Sequence, residues 1–284
     1  MMSEASRERI RTPEGWRAAA AMYDSYRNET SVPLPGIASY HPAVELRPGL
    51  TAAIAVPEGE GPFPVFVITH GPGLTAGSSH LYRRLTMDVA GNGYLAITPD
   101  FRLAPEHPFP AGYDDMRFAL GWARDRAAEW GGDGARIVLW GDALGASLAL
   151  GLVLGMRDEP DAPALKAFVG VEGVYDFTSP MLANGSSIKW YPGDGGESVL
   201  RDKRVSPLLH IEKGMQLPHL LLITGNANYG VPGTLDLVRK LQDSDLPFEL
   251  HALPGMPHDF MTFPELDGMR HGHRLLFESL ARTV

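Results

Sequence analysis

Gly141-Asp142-Ala143-Leu144-Gly145 is the stretch of this chain that points most directly to chemistry. It lies between an apolar run, Arg136 to Gly141 (RIVLWG), and a helical run, Ala146 to Met156. In that context a G-x-S-x-G turn is a nucleophile elbow, whose sharpness demands small residues on both sides. Gly141 and Gly145 supply them, but the central residue is Ala143, and a methyl group cannot attack a carbonyl. Glu172 stands one residue past an apolar run that ends at Val171. A carboxylate pointing into an apolar pocket can act as an acid or base, whereas an exposed or salt-bridged loop carboxylate is the plainer alternative. His258-Asp259 and His271 with His273 are too loosely spaced for a metal site, and no phosphate-binding glycine loop is present. Neither a metal nor a cofactor is expected.

These residues need a scaffold, and the pattern of the chain describes one. Short apolar runs at 50–56, 64–70, 94–99, 136–141, 166–171, 220–224 and 248–253 read as strands. Between them, 79–90, 112–129, 146–156, 233–243 and 272–282 read as helices. Such alternation predicts an α/β fold with a mainly parallel sheet covered on both faces, binding its ligand beyond the carboxyl ends of the strands. Residues 1–45 read as a helical segment, because Trp16, Ala19, Ala20 and Tyr23 share one face before the Pro-rich stretch Ser31–Pro35. Residues 175–213 read as irregular cover, with Met181 and Trp190 as apolar lining.

Composition limits the partners. The 284 residues are 44% hydrophobic, carry a formal net charge of −9 and include no cysteine. Disulfides and thiolate chemistry are excluded, and an acidic chain without a basic cluster argues against nucleic acid. No apolar run reaches the ~20 residues of a membrane span. The opening MMSEASRERIRTPEGW is charged and lacks a signal-peptide core, so a cytoplasmic location is expected. The expected partner is a small apolar molecule, with a homodimer also plausible and no membrane association.

Beyond the elbow, several stretches resemble one family in the right order. They are His70-Gly71-Pro72-Gly73, the segment Phe101 to Pro110 (FRLAPEHPFP), Asp114-Asp115 with Trp122, Ser206-Pro207-Leu208, Leu217-Pro218, and Gly255-Met256-Pro257-His258-Asp259-Phe260. Over residues 50–280 the chain resembles α/β-hydrolases of the hormone-sensitive lipase type, an esterase and lipase family. That resemblance implies an eight-stranded, mainly parallel sheet flanked by helices, with 1–45 as an N-terminal helical cap and 46–284 as the hydrolase domain of a single unit. It also implies hydrolysis of carboxylic esters as the family's usual activity.

Carried over position by position, the implied machinery is incomplete. His258 matches the family's base. Ungapped counting back from the helix 237–241 puts Asn228 on the acid position, where an amide cannot stabilise an imidazolium as a carboxylate does. Of the oxyanion loop, Pro72 has no N–H, leaving Gly71, Gly73 and Leu144 as candidate donors beside His70. Asp142, His80, Tyr82 and Tyr229 are expected around the pocket. Arg102, Glu106, Asp114 and Asp115 read as a framework of ion pairs, and Ser147 as a helix-packing residue. Three functions follow. The first is a non-hydrolytic enzyme (cyclase, dehydratase or isomerase) acting on a small apolar carbonyl compound, with His258 as acid/base. The others are a carboxylesterase or lactonase whose serine has been replaced at position 143, and a pseudoenzyme that only binds a small ligand.

Overall fold

A computed structural model describes residues 34–179, 182, 189–226, 230–263 and 267–284. Its elements run β1 (Ile37–Arg47), β2 (Leu50–Pro57), β3 (Phe63–Thr69), α1 (Arg83–Gly91), β4 (Leu95–Pro99), α2 (Ala111–Arg126), β5 (Gly132–Asp142), α3 (Ala143–Met156) and β6 (Leu165–Val171). There follow α4 (Gly196–Leu200), β7 (His219–Gly225), α5 (Val231–Asp243), β8 (Glu249–Leu253) and α6 (Asp267–Leu280). The eight strands form one sheet in the order β1-β2-β4-β3-β5-β6-β7-β8. The pairings β1–β2 and β2–β4 are antiparallel and all others are parallel, so the sheet is mixed but mainly parallel.

Alternation along the strands explains how both faces are covered. On β3, Val65 and Val67 join one core with Met116 and Leu120 of α2, Leu148 and Leu152 of α3, and Leu237 and Leu241 of α5. Phe66 and Ile68 point the other way, into a second core with Leu85 and Val89 of α1 and Leu276 and Leu280 of α6. Successive strand residues face opposite sides of a sheet, so a continuous apolar run is what a doubly covered strand requires. Helix α3 is apolar all round and nearly every residue of it is buried, as befits a helix enclosed by the domain. Ser147 fits there as expected: it is buried, and its hydroxyl donates to the Val174 carbonyl.

One expectation fails at the start. Residues 37–45 were assigned to a helical segment, but they lie in β1, which pairs with β2. The turn between them contains Gly49 at φ 81, and Pro42 sits at a register shift in an edge strand, where a missing N–H is tolerated. Pro42 and the polar residues around it masked the strand. The helical reading of residues 1–33 lies outside the described residues. Among the described residues, no helix is long and apolar enough to cross a membrane.

The ion-pair framework centres on Asp115. Its buried carboxylate accepts from the Arg102 amide (2.9 Å), Arg102 Nε (2.8 Å) and Arg47 Nη2 (2.5 Å), while Asp114 and Glu106 are exposed. Burial alone would push this carboxyl up, but the two arginines hold it below the usual carboxylate range. Its contribution is therefore present above about pH 4 and lost as the pH falls further. Asp115→Ala is expected to lower the unfolding free energy by about 1.5–3 kcal/mol in urea at neutral pH. The variant should also lose part of the parent's acid sensitivity.

Candidate active site

Strand β5 passes into α3 without a loop. Asp142 is extended (φ −119°, ψ 156°), and Ala143, the next residue, has φ 46°. That left-handed conformation is uncommon for a residue with a Cβ, and it makes the sharp corner of an elbow. A Cβ on Gly141 would stand 2.5 Å from the Gly145 carbonyl oxygen, and one on Gly145 would stand 2.4 Å from that of Thr69. Both glycines are thus required by close backbone approach, as the spacing indicated. The corner presents a half-buried methyl group.

The histidine beside this corner has a partner that ungapped counting did not find. Glu172 follows β6, has φ 52° and is fully buried. Its Oε2 lies 3.2 Å from His258 Nδ1 and accepts the Asp259 amide at 2.5 Å. Its Oε1 accepts the Gly225 amide at 3.0 Å, at the end of β7. On the other side of the ring, Asp259 Oδ1 lies 3.4 Å from Nε2. Asp259 also has positive φ, at 62°. Of the five non-glycine residues with positive φ among those described, three are Ala143, Glu172 and Asp259. Strained backbone tends to gather where geometry serves function.

His258 is mostly buried, which opposes its charge. The carboxylates of Asp259, Glu172 and Asp142 outweigh that effect and raise its pKa above the ordinary 6.5. The site thus favours an imidazolium, a group able to give up a proton. Glu172, His258 and Asp259 also place ligand atoms within 4.8 Å of one another. However, Glu172 faces Nδ1, Asp259 faces Nε2, and both Glu172 oxygens already accept amides. This arrangement suits a histidine that holds protons better than it suits a metal centre.

The expected oxyanion loop is held by hydrogen bonds within the protein. The Gly71 amide donates to Tyr82 Oη at 3.1 Å, and the Gly73 amide donates back to the Gly71 carbonyl at 2.5 Å in a tight turn around Pro72. Both amides, expected as substrate-binding donors, have internal acceptors in this structure. Leu144 remains, as the second residue of α3, since first-turn amides have no intrahelical acceptor. Tyr82, expected as a pocket wall, is buried and donates to Asp142 Oδ2 at 2.6 Å. His70 is buried and stacked on Phe101 with ring centroids 4.1 Å apart, a packing role. His80 is exposed, and Trp190 is half-buried against the main core. Asp236 pairs with Arg239 on α5. Asn228, Tyr229 and Met181 lie outside the described residues. Sequence reading missed the contact of Asp259 with the ring, for which positive φ at that position leaves no sequence signal.

Comparisons with known proteins agree with this architecture. A family model described as alpha/beta hydrolase fold matches residues 66–262. Carboxylesterase NlhH of Mycobacterium tuberculosis is 39% identical over 101 residues, covering 35% of this chain and 32% of that protein. Ethyl acetate hydrolase of Pseudomonas putida is 29% identical over 210 residues (68% and 64%). Carboxylic ester hydrolase LipN of M. tuberculosis is 28% identical over 261 residues (84% and 66%). The matches therefore span at most about two thirds of these relatives' lengths. Among solved structures, a thermostable carboxylesterase cloned from a metagenomic library superposes with a TM-score of 0.82 at 23% identity, covering 94% of this chain and 96% of that one. A bacterial heroin esterase gives 0.80 at 23% identity, covering 95% and 92%.

The raised pKa of His258 has a sign. Its stabilising contribution is complete below about pH 6.5 and is lost as the pH rises through the folded-state value. The melting temperature should fall across that rise, and His258→Gln should remove this part of the slope. A slope unchanged in the variant would show that the carboxylates do not hold the proton on this ring.

Proposed function

The chain belongs to the alpha/beta hydrolase fold family, and on that premise we propose that it is an enzyme of the carboxylesterase branch that transfers protons instead of acyl groups. The observation that supports this reading most is the presence of Ala143 at the elbow together with a histidine, His258, held between two carboxylates. Acyl transfer needs a nucleophile and amides aimed at an oxyanion. General acid–base chemistry needs neither, only a positioned group whose pKa lies near the working pH.

In this reading His258 gives a proton to, or takes one from, a small apolar compound bearing a carbonyl group. Asp259 beside Nε2 can share that proton. The outcome is a cyclisation, dehydration or isomerisation. Holding a substrate in its reactive geometry adds rate without any covalent step.

The test is to incubate the protein with a panel of apolar carbonyl metabolites and follow products by mass. A substrate converted to an isomer or to a product lighter by one water supports the proposal, and His258→Ala should then slow turnover by about 10²–10⁴-fold. Ester cleavage by the unaltered protein, with addition of water, would overturn it. Ala143→Ser should leave the non-hydrolytic turnover independent of the added hydroxyl. Any esterase activity it gains on p-nitrophenyl acetate should stay low, since a lost oxyanion donor costs about 10²–10³-fold in rate. Vigorous hydrolysis by that variant would instead favour an esterase whose serine had been replaced.

A further inference from the structure

We propose that Glu172 is the positioning acid of His258, taking from the end of β6 the place that the family pattern gives to a residue after β7. The inference concerns the histidine of the proposed function and takes its catalytic meaning from that reading. Its test needs no substrate, so either can fail alone.

Topology makes the relocation possible. Strands β6 and β7 are parallel neighbours, with Val171 opposite Ile223, so the residues just beyond their carboxyl ends emerge side by side. An acid can move from one strand end to the next while the histidine stays where it is. The backbone at Glu172 is bent for the purpose: its amide donates to the Ile223 carbonyl at 3.0 Å, and its φ of 52° turns the chain where a continuing strand would run on. The left-handed conformation is unfavourable for a glutamate, so it persists because its surroundings impose it.

The carboxylate is held more firmly than any other acid near the ring. It has no exposed surface, and its two oxygens accept the Gly225 amide and the Asp259 amide. One amide belongs to the end of β7 and the other to the residue next to His258, so the same group that meets Nδ1 also anchors the turn carrying the ring. The other candidates are placed differently. Asp259, on the histidine's own turn, faces Nε2 and is 23% exposed. Asp142, at the end of β5, accepts from Tyr82 Oη. Asp236 is paired with Arg239 on the outer part of α5. Glu172 alone among them faces Nδ1. A carboxylate there keeps a proton on Nδ1 and leaves Nε2 as the nitrogen that exchanges protons with a substrate.

The experiment is a nuclear magnetic resonance titration of the full chain labelled at histidine nitrogen and carbon, with the His258 signals assigned by their loss in His258→Gln. In the unaltered protein, the neutral form of His258 is expected to carry its proton on Nδ1. In Glu172→Gln, the His258 titration midpoint should fall by about one pH unit or more. Asp142 and Asp259 remain in that variant, so the shift reports Glu172 itself. A group that merely braces the fold would change the melting temperature and leave tautomer and midpoint where they were. A proton found on Nε2 in the unaltered protein, or an unchanged midpoint in a folded Glu172→Gln, would overturn the proposal. Where Glu172→Gln does not fold, the tautomer of the unaltered protein decides it alone.

Discussion

A carboxylate with no exposed surface needs hydrogen-bond partners for both oxygens, because a buried unpaired charge is very costly. At Glu172 those partners are the Gly225 amide and the Asp259 amide, and the His258 ring stands 3.2 Å from Oε2. They come from the end of β7 and from the histidine turn, while Glu172 itself leaves β6. One side chain thus ties together two strand ends and a loop. The sheet order that places β6 beside β7 is what makes the contact with the histidine turn available.

Around this pairing, the polar groups of the loop and the elbow find their partners within the protein. An oxyanion needs donors aimed outward at the developing charge. Here Gly71 and Gly73 turn their amides toward Tyr82 and toward the loop's own carbonyl, while carboxylates gather about the histidine. The elbow keeps its strained corner and its two obligatory glycines but presents a methyl group. The fold of the alpha/beta hydrolases is retained around that corner, and the proposed proton transfer rests on the carboxylates that surround His258.

Much of the fold was legible in the sequence. Doubly buried strands leave uninterrupted apolar runs, so β3 and β5 were readable, and the elbow showed through its glycines because steric demand at Gly141 and Gly145 leaves no alternative residue. Strand β1 was not legible, since an edge strand with Pro42 lacks both alternation and an apolar run. The site was partly legible. His258 and Ala143 were found by motif. Glu172 was legible as a candidate from its place after a strand, whereas its contact with His258 was not, because linear spacing does not record which strand ends are neighbours in the sheet; Asn228, the acid position by ungapped counting, lies outside the described residues. The folding of the Gly71 and Gly73 amides onto internal acceptors is a matter of loop conformation, which the glycines permit and do not specify.

The central claim, proton transfer without acyl transfer, is tested most directly by turnover in water enriched with heavy oxygen, and again in deuterium oxide, once a substrate from the carbonyl panel is in hand. Isomerisation or cyclisation through His258 should place solvent deuterium in the product, dehydration should give a product lighter by one water, and none of these should place heavy oxygen in a new carboxylate. Heavy oxygen appearing in a carboxylate product would show that water has attacked a carbonyl, and would contradict the account.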